Sequence, residues 1–428
     1  MRMTGLNFDA IPRLDVPLRF YLTAPIFALL GSILLIDQGS QIWLTRWMPA
    51  SLAITHLFAL GVMAMIMIGS LFQIMPVLCG APITIETSRL ALMHTGMIAG
   101  TLTLAAAFLG WVSFVFGFVF LGLSIGYFVL TLAWVLIKNA GGEQTRLPIL
   151  LAVFSLGLLL IAGLLLISGY LWGIQPAVGK ALTNFHASIG IFGWVLLLVM
   201  AVSFQVIPMF HVTPVFPKVW RNTLVFGAVF SLVMMTLATF AGFNLYYVAV
   251  FNALVGIAYA VVGSVQLSKR RRKLPDVVIN YWRVGYGCLA IGCLFIIALP
   301  YFPADIKGKL EVLLGLVIAL GFILGVIQGM LLKIVPFLIT LHLQKVAMAN
   351  PASMMMLPDH YSLISRKQGK VQYWLYLAVL LSIVTSFFVP QLTISIGVCI
   401  MLNWMCIGYN LLRAFILHSK LREKMLAA

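Results

Sequence analysis

Acidic side chains are scarce. Ten Asp and Glu occur in 428 residues, and charged residues of either sign make up 9% of the chain against 63% hydrophobic. An ordinary soluble domain carries about 25% charged residues, so a water-facing globule is excluded. The ten acids all fall in loops or at the ends of apolar runs. No carboxylate is therefore placed to relay a proton through a bilayer centre, where ionisable groups usually mark an ion path. Cysteine is also sparse: Cys79, Cys288, Cys293, Cys399 and Cys406 form no CxxC pair. Four of them sit inside apolar runs, where a free thiol acts as a small hydrophobe. There is no phosphate-binding glycine loop, no GxSxG elbow and no HExxH pair. Residues 1–17 lack the charged, apolar and small-residue succession of a cleavable signal peptide.

What the chain has is apolar length. Runs long enough to cross a bilayer as helices, about 20 residues each, lie near 18–37, 51–76, 89–110, 112–137, 147–172, 184–208, 219–241, 244–267, 281–302, 311–334, 371–389 and 391–417. The predicted fold is all-α and integral to the membrane, with twelve transmembrane helices and residues 1–428 forming a single membrane domain. The net charge of +17 does not indicate a nucleic-acid partner, because the cations sort by loop. With the N-terminus in the cytoplasm, only Arg46, Lys180, Lys307 and Lys309 of the 27 Lys and Arg face outward. This is the bias expected of a multi-pass protein of a bacterial inner membrane with both termini cytoplasmic. The run Lys269-Arg270-Arg271-Arg272-Lys273 reads as a topology anchor for anionic headgroups. The lipid bilayer is the one partner that composition itself requires.

A skeleton recurs three times: Gly61, Gly69, Gln73, Pro76; then Gly193, Ala201, Gln205, Pro208; then Gly321, Gly329, Lys333, Pro336. The steps from Gln73 to Gln205 and on to Lys333 are 132 and 128 residues (205 − 73 and 333 − 205). Such a period indicates one supersecondary unit used three times. Twelve helices then divide into three parallel pseudo-repeats of four, with units 18–137, 147–267 and 281–417, and a cytoplasmic loop at 342–370. The four positions share an arc of about 120° on an α-helix. The small residues let a neighbouring helix approach closely, the Gln or Lys head reaches water or caps carbonyls, and the proline ends or kinks the helix.

Histidine carries the candidate chemistry. Of seven, only His56 and His186 lie toward the outer face, where they open the motif helices of the first two units. They precede Gln73 by 17 residues and Gln205 by 19. On uninterrupted α-helices this two-residue difference is a rotation of about 200°, which predicts that they face different crevices unless a helix bulge intervenes. Met63, Met65, Met67, Met200, Met234 and Met235 are further available side chains, although thioethers in such runs mostly serve packing.

Twelve helices in three parallel arcs, with histidines at the outer ends of the second and sixth, resemble subunit I of the haem–copper oxidases and their non-oxidase, NnrS-like relatives. The resemblance implies His56 at the place of a haem ligand and His186 at the place of a copper ligand, hence haem or copper as cofactor. The chain departs from the oxidase pattern: 219–241 holds no histidine, Leu316 stands at the equivalent offset in the third unit, and Gly190 stands where the family has a tyrosine four residues after the copper ligand. A binuclear centre is therefore not expected, nor reduction of oxygen or nitric oxide. The resemblance leaves cofactor handling, electron transfer or nitric-oxide response. The alternatives are a cofactor-free transporter or channel for a small solute, or an assembly subunit with respiratory-chain partners.

Overall fold

A computed structural model describes residues 12–138, 143–173, 179–271, 274–349 and 351–427. Among these there is no strand, and twelve helices are long and apolar enough to cross a membrane. They are α1 (Asp15–Trp43), α2 (Pro49–Pro76), α3 (Thr87–Phe108), α4 (Phe114–Lys138), α5 (Thr145–Trp172), α6 (Lys180–His211), α7 (Lys218–Ala241), α8 (Leu245–Ser268), α9 (Val277–Tyr301), α10 (Ala304–Met348), α11 (Arg366–Phe388) and α12 (Pro390–Ala427). The protein is a multi-pass membrane protein. Its outward surface carries large apolar side chains such as Leu123, Leu130, Phe226 and Trp374, as a lipid-facing surface requires.

Each helix packs on its successor, and α12 returns along α1 to close the ring. Burial then sorts the helices. The most apolar window of α2, α6 and α10 is 78%, 67% and 61% buried, against 28% to 50% in the other nine. The three motif helices are thus the inner ones, and the rest shield them from lipid.

The motif lies where the first helix of each predicted unit meets the second. A methyl on Gly193 of α6 would stand 2.8 Å from Leu232 and 3.0 Å from Ser155 of α5, and one on Gly329 of α10 would stand 2.6 Å from Tyr281 Cβ of α9. Gly61 of α2 likewise sits against Phe27 of α1. Close approach without side chains is how helices associate when lipid removes the hydrophobic drive between them.

Three expectations change. The motif prolines do not end their helices: the helical runs continue past Pro76 to Cys79, past Pro208 to His211 and past Pro336 to Ala349. Neighbouring helices tolerate the lost backbone bond. The 342–370 segment is mostly helical: α10 occupies its first part, a 3-10 turn spans Pro351–Met356, and a short helix spans His360–Leu363. Gln73 does not reach water; it is buried, and its Oε1 has no hydrogen bond among the described residues.

The inner helices share one irregularity. Each passes through a π-helical stretch, Ala59–Ala64 in α2, Ile189–Leu196 in α6 and Val317–Ile323 in α10. Gly61, Gly193 and Gly321 fall inside these stretches. A π segment inserts extra backbone into the α spiral and turns all that follows. Gly329→Ala should destabilise the protein by about 1–3 kcal/mol through overpacking, read as a lowered thermal midpoint in detergent. Gly287→Ala on the open face of α9, where an added methyl meets nothing, should leave the midpoint unchanged.

Candidate functional site

His56 and His186 meet. Their ring centroids are 6.3 Å apart, with the planes inclined by 30°. The two-residue offset had predicted separate crevices. However, parallel helices lying side by side turn opposite faces toward one another, so a rotation near 200° brings the two rings together. The π segments between each histidine and its motif polar residue further reset the register.

Each imidazole is held by one nitrogen. His56 Nδ1 donates to the Leu52 carbonyl one turn earlier on α2, at 2.8 Å. His186 Nδ1 donates across to the Leu159 carbonyl of α5, at 3.2 Å. A carbonyl only accepts, so both rings carry the proton on Nδ1 and present a bare lone pair on Nε2. Neither Nε2 makes a hydrogen bond among the described residues. A carbonyl on one nitrogen and a free second nitrogen is the arrangement that fixes tautomer and orientation in metal-binding histidines. The rings are also packed on their faces: Phe108 of α3 lies 5.2 Å from His56, at 29° to its plane. Gly163 of α5 lies against His186, where an added methyl would stand 3.0 Å from Cε1.

A charged clamp orients this end. Arg46, in the α1–α2 connection, donates from Nε to Glu311 of α10 at 2.8 Å and from Nη2 to Asn184 of α6 at 2.7 Å. Its guanidinium also lies 4.4 Å from the Trp47 ring centre. One side chain therefore ties the start of α2 to the starts of both other inner helices, two residues from His186. Among the described residues no group of three or more His, Cys, Asp or Glu gathers in one place, so the protein offers two such ligands here.

A second polar cluster occupies the opposite, basic end. Asp276 caps α9 by accepting from Val278 N at 3.1 Å, and Lys333, the motif residue of α10, bonds its other oxygen at 2.9 Å. His211, the last residue of α6, lies with Nδ1 3.7 Å from the same oxygen. Burial alone would push the Asp276 carboxyl up. The nearby His211, the Lys333 ammonium and the Val278 N–H outweigh that and hold it well below the usual carboxylate range. After His211 the chain turns through Val212 at φ 53°, ψ 50°, a left-handed conformation that a β-branched residue rarely adopts.

Sequence reasoning reached His56 and His186, and Lys333 as a motif member. It missed Arg46, Glu311, Asp276 and Gly163 as contributors to either cluster. Opposite charges at one charge-poor end of the bundle were the available signal for Arg46 and Glu311. No family model matches this chain, and no curated protein matches it.

Two outcomes follow. Val212→Asn, at an exposed site, should raise stability by about 1 kcal/mol, because Asn accepts left-handed backbone at lower cost; thermal melts would show it. A depressed carboxyl contributes stability above its unfolded pKa, about 3.9, and loses it as pH falls through the folded value. Asp276→Asn should therefore lower the midpoint equally at pH 7 and pH 5, with the gap to the wild type closing only below about pH 4.

Proposed function

We propose that this chain is a non-oxidase protein of haem–copper-oxidase-like fold and that His56 and His186 jointly hold one haem or one copper ion. Its three groups of four helices are related by an axis along the membrane normal. It sits in a bacterial inner membrane with the basic end and both termini cytoplasmic. The observation that supports the site is the pair of Nδ1–carbonyl bonds, which leave two Nε2 lone pairs on rings 6.3 Å apart.

Two protein ligands suit few guests. A porphyrin supplies four nitrogens and leaves two axial positions for histidine. Copper(I), a soft ion well matched to imidazole, is satisfied by few ligands. A structural zinc ion wants four protein ligands, and these residues supply two. The resemblance to the oxidases would place the histidines on different cofactors; their proximity favours one shared centre. With two ligands and no third, the centre suits cofactor handling, electron transfer or nitric-oxide sensing rather than substrate turnover. The protein's own residues orient the rings through Leu52 and Leu159, fix their faces through Phe108 and Gly163, and anchor the helix ends through Arg46.

The test is the absorption spectrum and metal content of protein purified from cells supplied with haem and copper. A Soret band or near-stoichiometric copper is expected, lost in His56→Ala and His186→Ala alike. Retention of the cofactor in both variants, or its absence from the wild type, sinks the reading. Gly163→Ala, by pushing His186 aside, should retain folding but shift the spectrum or weaken metal retention about tenfold or more, as loss of an orienting contact does.

A further inference from the structure

The basic end holds a site that the histidine pair does not explain. A cavity of about 40 Å³ lies between the ends of α6, α9 and α10, lined by His211, Arg270, Asp276, Lys333 and Tyr361 together with apolar side chains. That volume holds about three waters or one small ion. His211 is 3% exposed, yet neither of its ring nitrogens has a hydrogen bond among the described residues. Buried polar groups are ordinarily hydrogen-bonded, so a buried imidazole facing a polar cavity indicates a missing partner.

The wall shows what that partner must be. Lys333 has three N–H donors, of which one reaches Asp276. Arg270 spends one donor on the Leu274 carbonyl, from Nη1 at 3.1 Å, and has four more. His211 adds an N–H and Tyr361 a hydroxyl. The one carboxylate of the wall already accepts from Val278 N on one oxygen and from Lys333 on the other, and His211 Nδ1 lies 3.7 Å from the latter. Two cations, Lys333 and Arg270, against the one carboxylate of Asp276 leave a net positive charge on the wall. Donors in excess, acceptors engaged and positive charge together describe a site for an acceptor that carries negative charge. The geometry points to a binding site for one small monovalent inorganic anion, of halide or nitrate size, coordinated by His211, Lys333 and Arg270.

The strained turn at Val212 accords with this. Its left-handed backbone directs the chain back so that the Val212 carbonyl accepts from Arg271 N at 3.0 Å. This draws the α8–α9 connection, with Arg270, over His211. Strain of this kind persists where the surroundings over-determine it.

The experiment uses the full chain in a neutral maltoside detergent, with chloride as probe and the 35Cl resonance linewidth as readout. Wild type should give saturable excess broadening that added nitrate displaces. Lys333→Met and Arg270→Gln should each reduce it at least fivefold, while Lys420→Gln, at a cation remote from the cavity, leaves it intact. Arg270 lies at the surface, so Arg270→Gln decides the matter even if Lys333→Met fails to fold. No saturable broadening in wild type, or broadening unchanged in Arg270→Gln, means the cavity holds only water and overturns the assignment. Repetition in nanodiscs separates a free ion from a lipid phosphate. Broadening in both phosphatidylcholine and mixed phosphatidylglycerol discs supports the free ion. Its loss only when phosphatidylglycerol is present assigns the cavity to a headgroup and overturns it.

Discussion

The structure depends on helix backbones approaching closely enough, in a medium where hydrophobicity gives no reason to associate. Lipid chains are as apolar as leucine, so association rests on packing and on polar groups that find partners inside. The motif glycines and alanine meet the first demand by removing side chains where α1, α5 and α9 press on α2, α6 and α10. This seam places three helices in the interior. Once inside, their polar residues find partners on adjoining segments: Glu311 and Asn184 with Arg46, Lys333 with Asp276, and each histidine with a carbonyl.

The two polar clusters differ in chemical character. The histidine end presents lone pairs on rings whose protons are committed to carbonyls, an environment for a Lewis acid. The basic end presents N–H groups around a carboxylate whose oxygens are spent, an environment for a Lewis base. Both draw on α6 and α10, two of the three helices whose apolar windows are most buried.

The sequence made the twelve crossings legible, since apolar runs of this length have few other readings. It also marked the seams of close helix packing, through the spacing from glycine to proline, but not that the motif helices are the inner ones. Helix ends were less legible. Pro76, Pro208 and Pro336 read as ends or kinks because proline removes a backbone donor; of the two, the end is excluded, since packed neighbours let the helices run on. The meeting of His56 and His186 was hidden for a different reason. Angular bookkeeping on one helix says where a side chain points relative to its own motif, not relative to a neighbour. The π segments leave no clear mark in composition beyond a glycine that many α-helices also carry. The pairing of Arg46 with Glu311, 265 positions apart, needs the three-dimensional arrangement.

The closure of the ring through α1 and α12 bears on how such a chain could arise. Neighbouring helices run in opposite senses, so the start of α1 lies beside the end of α12, and the Pro12 carbonyl already bonds His342 of α10 at 2.9 Å. A circle of helices in which each touches the next has no structurally privileged first member. Cutting it at any connection on the basic side and joining the old ends would preserve every helix contact. A chain of that topology can therefore arise by moving its ends from one connection to another, without inventing a new interface between helices.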